Sequence, residues 1–187
     1  MSAVAGGVLN SQEVTRERNL VGSEAEADSF VRTMAELGDR LGPLLIQLPP
    51  SFDVEGMGVL EDFLKRLPEG FRYAVEVRHR SSLGSDLPEM LRECSVALTL
   101  IDYPRMPRME EATAEFSHIR WLGERREFPE GHTHLKKERD EELLWWSDLV
   151  ERFLSEGRTV FAYANNNYQN HSPSTLARFM EIRRGER

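Results

Sequence analysis

Short apolar runs alternate with longer stretches of helical spacing along most of this 187-residue chain. The runs are Leu44–Leu48 (LLIQL), Phe71–Arg78 (FRYAVEVR), Val96–Ile101 (VALTLI), Phe116–Trp121 (FSHIRW) and Thr159–Ala164 (TVFAYA). Their length and their β-branched, aromatic and leucine content are those of strands. Between them lie helix signals. Ser23, with Glu26 three residues on, is a capping box, and Phe30, Met34, Leu37 and Leu41 would form the buried stripe of a helix stopped by Gly42 and Pro43. A second helix is expected around Leu60, Phe63, Leu64 and Leu67, and a short one over Leu87–Cys94. The longest is expected over Lys137–Glu156, burying Leu143, Trp146, Val150 and Phe153 and ending at Gly157; the last runs from Pro173 to about Arg184. The connection from Ile101 to Phe116 is short and Pro-rich, which leaves room for little helix. Residues 1–22 lack periodicity and read as an irregular N-terminal segment, with residues 23–187 forming a single domain.

Strands alternating with helices predict a parallel sheet with right-handed crossovers. An open doubly wound sheet and a (β/α) barrel both satisfy that pattern. Gln47, Glu76, Arg78 and Arg120 lie inside or at the ends of the strands, where an open sheet covered on both faces would have to desolvate them. A barrel instead turns alternate side chains toward its axis, and charged groups near its C-terminal rim can pair or meet a ligand. The expected fold is therefore α/β and TIM-barrel-like. It is incomplete, with about five parallel strands and surrounding helices, because five strands cannot close an eight-stranded barrel.

Composition bounds the function. With 24 Lys and Arg against 32 Asp and Glu, the formal charge is −8, which argues against nucleic acid and anionic membrane as partners. No stretch reaches the roughly 20 apolar residues of a membrane helix, and no basic-then-apolar leader opens the chain. The single cysteine, Cys94, has no internal disulfide partner, as in a reducing compartment. A cytoplasmic protein is expected.

Five segments carry a resemblance: LGPLLIQLPPSF (Leu41 to Phe52), YAVEVRHRS (Tyr73 to Ser81), ALTLIDYP (Ala97 to Pro104), IRWLG (Ile119 to Gly123) and VFAYANNNYQNHSPST (Val160 to Thr175). In this order they resemble the YecE-like family, domain of unknown function 72, whose members are TIM-barrel-like. Members of that family begin with strands bearing a glycine-tryptophan and a glutamate-asparagine motif, neither of which occurs here. Val14-Thr15-Arg16-Glu17 resembles the stretch after the family's third strand, with Arg16 where a histidine is usual. The resemblance thus implies the later two-thirds of the domain, lacking about the first three strands. Five open strands would leave unpaired edges, so the isolated chain is expected either to be marginally stable or to recruit a second copy to cover the opening.

Candidate site residues cluster at strand ends. Glu76 and Arg78 share a strand face: either a general base with an anion clamp, or a buried ion pair that orients the strand end. Gln47 and His79 stand at the same rim. Asp102 follows VALTLI at the position where barrels keep catalytic carboxylates, although Asp before Tyr103-Pro104 is also a turn former. Arg120 can meet a carboxylate or a ligand anion, whereas Trp121 is expected to pack against a helix. Asn165, Asn166 and Asn167 end the last strand, which the resemblance makes strand eight. Tyr168 and His171 follow, with Ser172 as cap and Pro173 in the first turn of a helix whose free N–H groups would favour an anion. The amides suit sugar hydroxyls or a base edge, or else tie off loop backbone.

Glu76, His79, Asp102, His118 and His171 are metal-ligand types without a metal-site spacing, and His132 with His134 read as a solvated turn. P-loop, GxGxxG, Gly-x-Ser-x-Gly and Cys–His arrangements are missing from the sequence, so it names no cofactor. The expectation is an enzyme of acid–base type acting on a small polar or anionic ligand, sugar-like or phosphorylated. Glu76 and Asp102 would be its catalytic groups, and Gln47, Arg78, His79, Arg120, Asn165, Asn166, Tyr168 and His171 its ligand contacts. The alternative is a non-catalytic ligand-binding or scaffolding protein, with Arg105, Arg108, Arg125 and Arg126 as a basic strip for nucleic acid.

Overall fold

The computed structural model describes residues 5–9, 19–84, 86–124, 127 and 132–185. Among them lie six strands: β1 (Ala5–Leu9), β2 (Leu41–Gln47), β3 (Tyr73–Glu76), β4 (Ala97–Asp102), β5 (Phe116–Trp121) and β6 (Thr159–Ala164). The helices are α1 (Glu24–Ala35), α2 (Met57–Leu64), α3 (Asp86–Glu93), α4 (Asp140–Ser155), α5 (Asn166–Gln169) and α6 (Ser172–Arg183). The strands are ordered β1 to β6 as in the chain, and β1–β2, β2–β3 and β3–β4 pair in parallel. Consecutive parallel neighbours follow from the strand–helix alternation. The Pro-rich connection between β4 and β5 carries no helix.

Four expectations about the N-terminal half are corrected. The stretch expected to be irregular contains β1, a sixth strand. Its sequence, AGGVL, has no alternation to signal a strand; pairing Gly7 with Leu44, Val8 with Leu45 and Leu9 with Ile46 makes it one. Gly42 and Pro43 do not stop α1, which ends at Ala35; both lie inside β2. Ser23 does stand at the start of α1, but its hydroxyl donates to the Val21 carbonyl and makes no cap bond. The residues α1 buries are Ala27 and Val31, while Phe30, Met34 and Leu37 are only half-buried. The Val14–Glu17 stretch lies outside the described residues.

Contacts divide the chain into two compact units, Met1–Thr99 with Glu111–His118 and Leu100–Glu110 with Ile119–Arg187. In the first, Leu44, Ile46, Leu60, Ala74, Val75 and Leu91 are almost fully buried. There Thr113 takes the place of a strand partner: its hydroxyl accepts from Leu98 N–H (2.7 Å) and donates to Val96 C=O (2.6 Å). In the second unit, α4 begins with three acidic residues, Asp140, Glu141 and Glu142, which favour a helix N-terminus. It buries Leu143, Trp146, Val150 and Phe153, the row expected from the sequence, together with Leu149. Its end is a Schellman turn: Arg158 N–H reaches Phe153 C=O and Gly157 N–H reaches Leu154 C=O, with Gly157 at φ 79°. Trp121 packs edge-on against Phe179 (4.7 Å between centroids) and lies 6.1 Å from Tyr168 and 6.4 Å from Trp146.

Candidate functional site

In the first unit, Glu76 ends β3, and its side chain is fully buried against the Arg78 guanidinium, which is one-fifth exposed. A carboxylate without access to water is tolerable only when paired in this way. Gln47 is the register partner of Glu76 on β2 and half-buried. The Nδ1 of His79 is already engaged: it accepts from Ser81 N–H and lies 2.8 Å from Ser81 Oγ, capping the 3-10 turn Arg80–Leu83. Ser81 Oγ also accepts from Val54 N–H, and Ser82 Oγ donates to Phe52 C=O, so the loops after β2 and β3 are tied to each other. His118 is buried with Nδ1 3.1 Å from Thr99 Oγ1.

In the second unit the chemistry converges on Asp102, the last residue of β4 rather than the first of a turn. The residue is 7% exposed, and three donors meet on one oxygen, Oδ2: Trp146 Nε1–H at 2.8 Å, Tyr168 O–H at 2.9 Å and Arg108 N–H at 2.9 Å. Among the described residues, none reaches Oδ1. A buried indole N–H or phenol needs an acceptor, and this carboxylate serves both. Burial, then the Asp102 charge, push the Tyr168 phenol far above its ordinary range, so it stays a donor at any physiological pH. Tyr168 itself is fully buried and is held by Arg139, which lies 4.7 Å over its ring and donates to its carbonyl. It orients Asp102 and is not an exposed ligand contact. Arg120, half-buried in β5, belongs to the same unit.

The asparagine motif is largely backbone carpentry. Asn165 Oδ1 caps α5 through Asn167 N–H, and Asn166 Oδ1 accepts from Ser172 N–H. Asn166 and Asn167 therefore open a short helix instead of ending β6, and His171, not Ser172, is the residue before α6. Asn170 adopts the left-handed region (φ 82°) that asparagine tolerates. Its amide donates to His134 C=O, while His132 Nδ1 lies 3.1 Å from its carbonyl and side-chain oxygens. The His132–His134 turn is thus exposed but pinned. The expected anion site at the start of α6 is weakened for a simple reason. Ser172 N–H is taken by Asn166, Pro173 has none, and Thr175 N–H bonds His171 C=O, which leaves Ser174 alone. His171 Nδ1 is 2.7 Å from Ser174 Oγ.

The described half of the basic strip is paired with carboxylates. Arg105 pairs with Glu124 and Arg108 with Asp102, while Arg125 and Arg126 lie outside the described residues. Among the described residues no three His, Cys, Asp or Glu side chains gather to hold a metal ion, and no helix is long and apolar enough to cross a membrane.

Sequence reasoning missed Arg108 as a site residue and treated Trp146 as core alone. The available signals were an arginine six residues beyond the rim carboxylate and a buried indole whose N–H had to find a partner.

A family model described as "Protein of unknown function DUF72" matches residues 8–187. The crystal structure of a DUF72 family protein from Thermotoga maritima superposes with a TM-score of 0.80 at 22% identity, covering 96% of this chain and 73% of that one. A DUF72 family protein from Enterococcus faecalis gives 0.70 at 18% identity, covering 89% and 72%. None of the curated proteins matches. At these identities the structural likeness carries the fold alone: α/β, TIM-barrel-like and incomplete.

Proposed function

The chain belongs to the DUF72 family, whose function is unknown, and from that premise we propose that it acts on a small polar ligand, sugar-like or phosphorylated. The chemistry is acid–base catalysis at the C-terminal ends of the strands, with Asp102 accepting the ligand's proton. The supporting observation is the one-sided partnership of Asp102: three donors on Oδ2 and none, among the described residues, on Oδ1. Donors on one oxygen lock the carboxylate plane, and the other oxygen can take a hydroxyl at hydrogen-bond distance, roughly 2.6–3.2 Å. Tyr168 and Trp146 position that carboxylate and do not touch ligand. In the other unit Glu76, already bound to Arg78, is a separate candidate acid–base group.

A thermal-shift panel of polyols, sugar phosphates and nucleotides, followed by Asp102→Asn, tests this. The amide introduced by that substitution keeps an oxygen for Trp146 and Tyr168, so the variant is expected to fold, which near-UV circular dichroism checks. The expected result is a wild-type ligand whose binding weakens and whose turnover falls at least about 100-fold in Asp102→Asn. A ligand bound and turned over equally well by both proteins overturns the proposal.

A second reading, ligand binding without catalysis, draws on a separate observation. The amide oxygens of Asn165 and Asn166 are spent on backbone N–H groups, which removes acceptors from the rim. Binding lost in Asp102→Asn with no turnover in wild type would select it. Nucleic acid lies outside both readings on the ground of the net charge of −8.

A further inference from the structure

We infer that Arg108 and Asp102 together form a subsite for a ligand that carries an anionic group next to a hydroxyl, with Arg108 holding the anion and Asp102 Oδ1 the hydroxyl. This rests on the Asp102 reading above and adds the class of substrate.

Arg108 is held by two contacts. One of its N–H groups donates to the buried Asp102 carboxylate at 2.9 Å, and its guanidinium lies 5.3 Å from the centroid of the Trp145 ring. These two contacts fix the plane of the group. A guanidinium has five N–H donors in a rigid fork, and among the described residues Asp102 is the only acceptor Arg108 meets. Its side chain is one-third exposed.

The backbone carrying it is pinned as well. Met106 is buried and Arg152 donates to the Glu110 carbonyl at 2.7 Å. Little rotamer or loop entropy is left to lose on binding, and preorganisation of this kind raises affinity. A planar fork suits the two oxygens of a carboxylate or phosphate. Asp102 alone would repel such an anion; the Arg108 charge cancels that repulsion, and Oδ1 then distinguishes a ligand with an adjacent hydroxyl donor from a bare anion. Hydroxy acids and phosphate esters of polyols share this chemistry.

The test uses the full chain and three probes, glycerol 3-phosphate, glycerate and inorganic phosphate, titrated by calorimetry and by the tryptophan fluorescence that Trp145 contributes. Both hydroxylated anions are expected to bind at least about tenfold more tightly than inorganic phosphate. Arg108→Gln should weaken them at least about tenfold, and Arg105→Gln, which alters a neighbouring exposed arginine, should leave them unchanged. Glycerol 3-phosphate binding without glycerate binding selects the phosphate-ester source within the same class, and the converse selects the hydroxy acid. Equal binding by wild type and Arg108→Gln, or equal losses in Arg108→Gln and Arg105→Gln, overturns the inference. Neutral glycerol bound through Asp102 with no preference for either anion would overturn it too, while leaving the Asp102 reading standing. Arg108→Lys keeps the charge without the fork; affinity equal to wild type there would refute the bidentate geometry.

Discussion

Replacing Gly123 by alanine tests how the segment bearing Tyr168 is held in place. Gly123 has φ 64°, and a Cβ built on it runs into the Asn167 carbonyl and the Tyr168 Cα, both backbone atoms that cannot swing aside. Gly157 also has a positive φ, 79°, but a Cβ there meets nothing within 4 Å. The conformational cost of a side chain in the left-handed region is about 1–2 kcal/mol at either position. At Gly123 the 165–168 segment must also move, and it carries the Asn165 N–H bond to Trp121 C=O at 2.8 Å and the Tyr168 O–H bond to Asp102 at 2.9 Å. Loss of these two hydrogen bonds adds about 1 kcal/mol each. The expectation is about 1–2 kcal/mol lost in Gly157→Ala and about 3–4 kcal/mol in Gly123→Ala, read from urea midpoints with unchanged slope. Losses equal within about 1 kcal/mol would refute the close approach of the Gly123 backbone to α5 as a determinant of stability.

Two further outcomes follow from buried polar groups. Thr113→Val strands the Leu98 N–H and the Val96 carbonyl without their hydroxyl partner, and should cost about 2 kcal/mol in chemical denaturation, against a near-neutral Thr33→Val on the exposed face of α1. Of the four tyrosines, burial raises Tyr73 to about 12 and pushes Tyr163 and Tyr168 upward as well, Tyr168 with the help of the Asp102 charge. An unfolded tyrosine ionises near pH 10. The folded chain therefore holds these protons longer, and the stability they contribute is complete below about pH 10 and is lost as pH rises through the folded values. Phenolate absorbance should lag that of the urea-unfolded chain between about pH 10 and 12, with a falling urea midpoint over the same range; coincident titration curves would contradict the burial.

Much of the fold was legible because its signals are local. The β4 and β5 runs, the row Leu143, Trp146, Val150 and Phe153, and the stop at Gly157 depend on periodicity and on a turn that glycine makes best. The site was legible only in part. Asp102 could be singled out because it ends an apolar run, but nothing near it in sequence says that Trp146 and Tyr168 will donate to the same oxygen from 44 and 66 residues away. The asparagines looked like ligand groups because their side chains can bind hydroxyls; whether they bind backbone instead is a question of distance. β1 was invisible for the same reason, since AGGVL becomes a strand only against β2.

Periodicity, capping residues and charge balance act over a few neighbours or over the whole composition, so the strand–helix alternation and the acidic character of the chain can be read from the residues in order. Convergence of Arg108, Trp146 and Tyr168 on a single carboxylate oxygen, and the close backbone approach at Gly123, are products of long-range packing. A hydrogen bond is decided by a few tenths of an ångström, and positions of that accuracy exist only once the elements have been brought together.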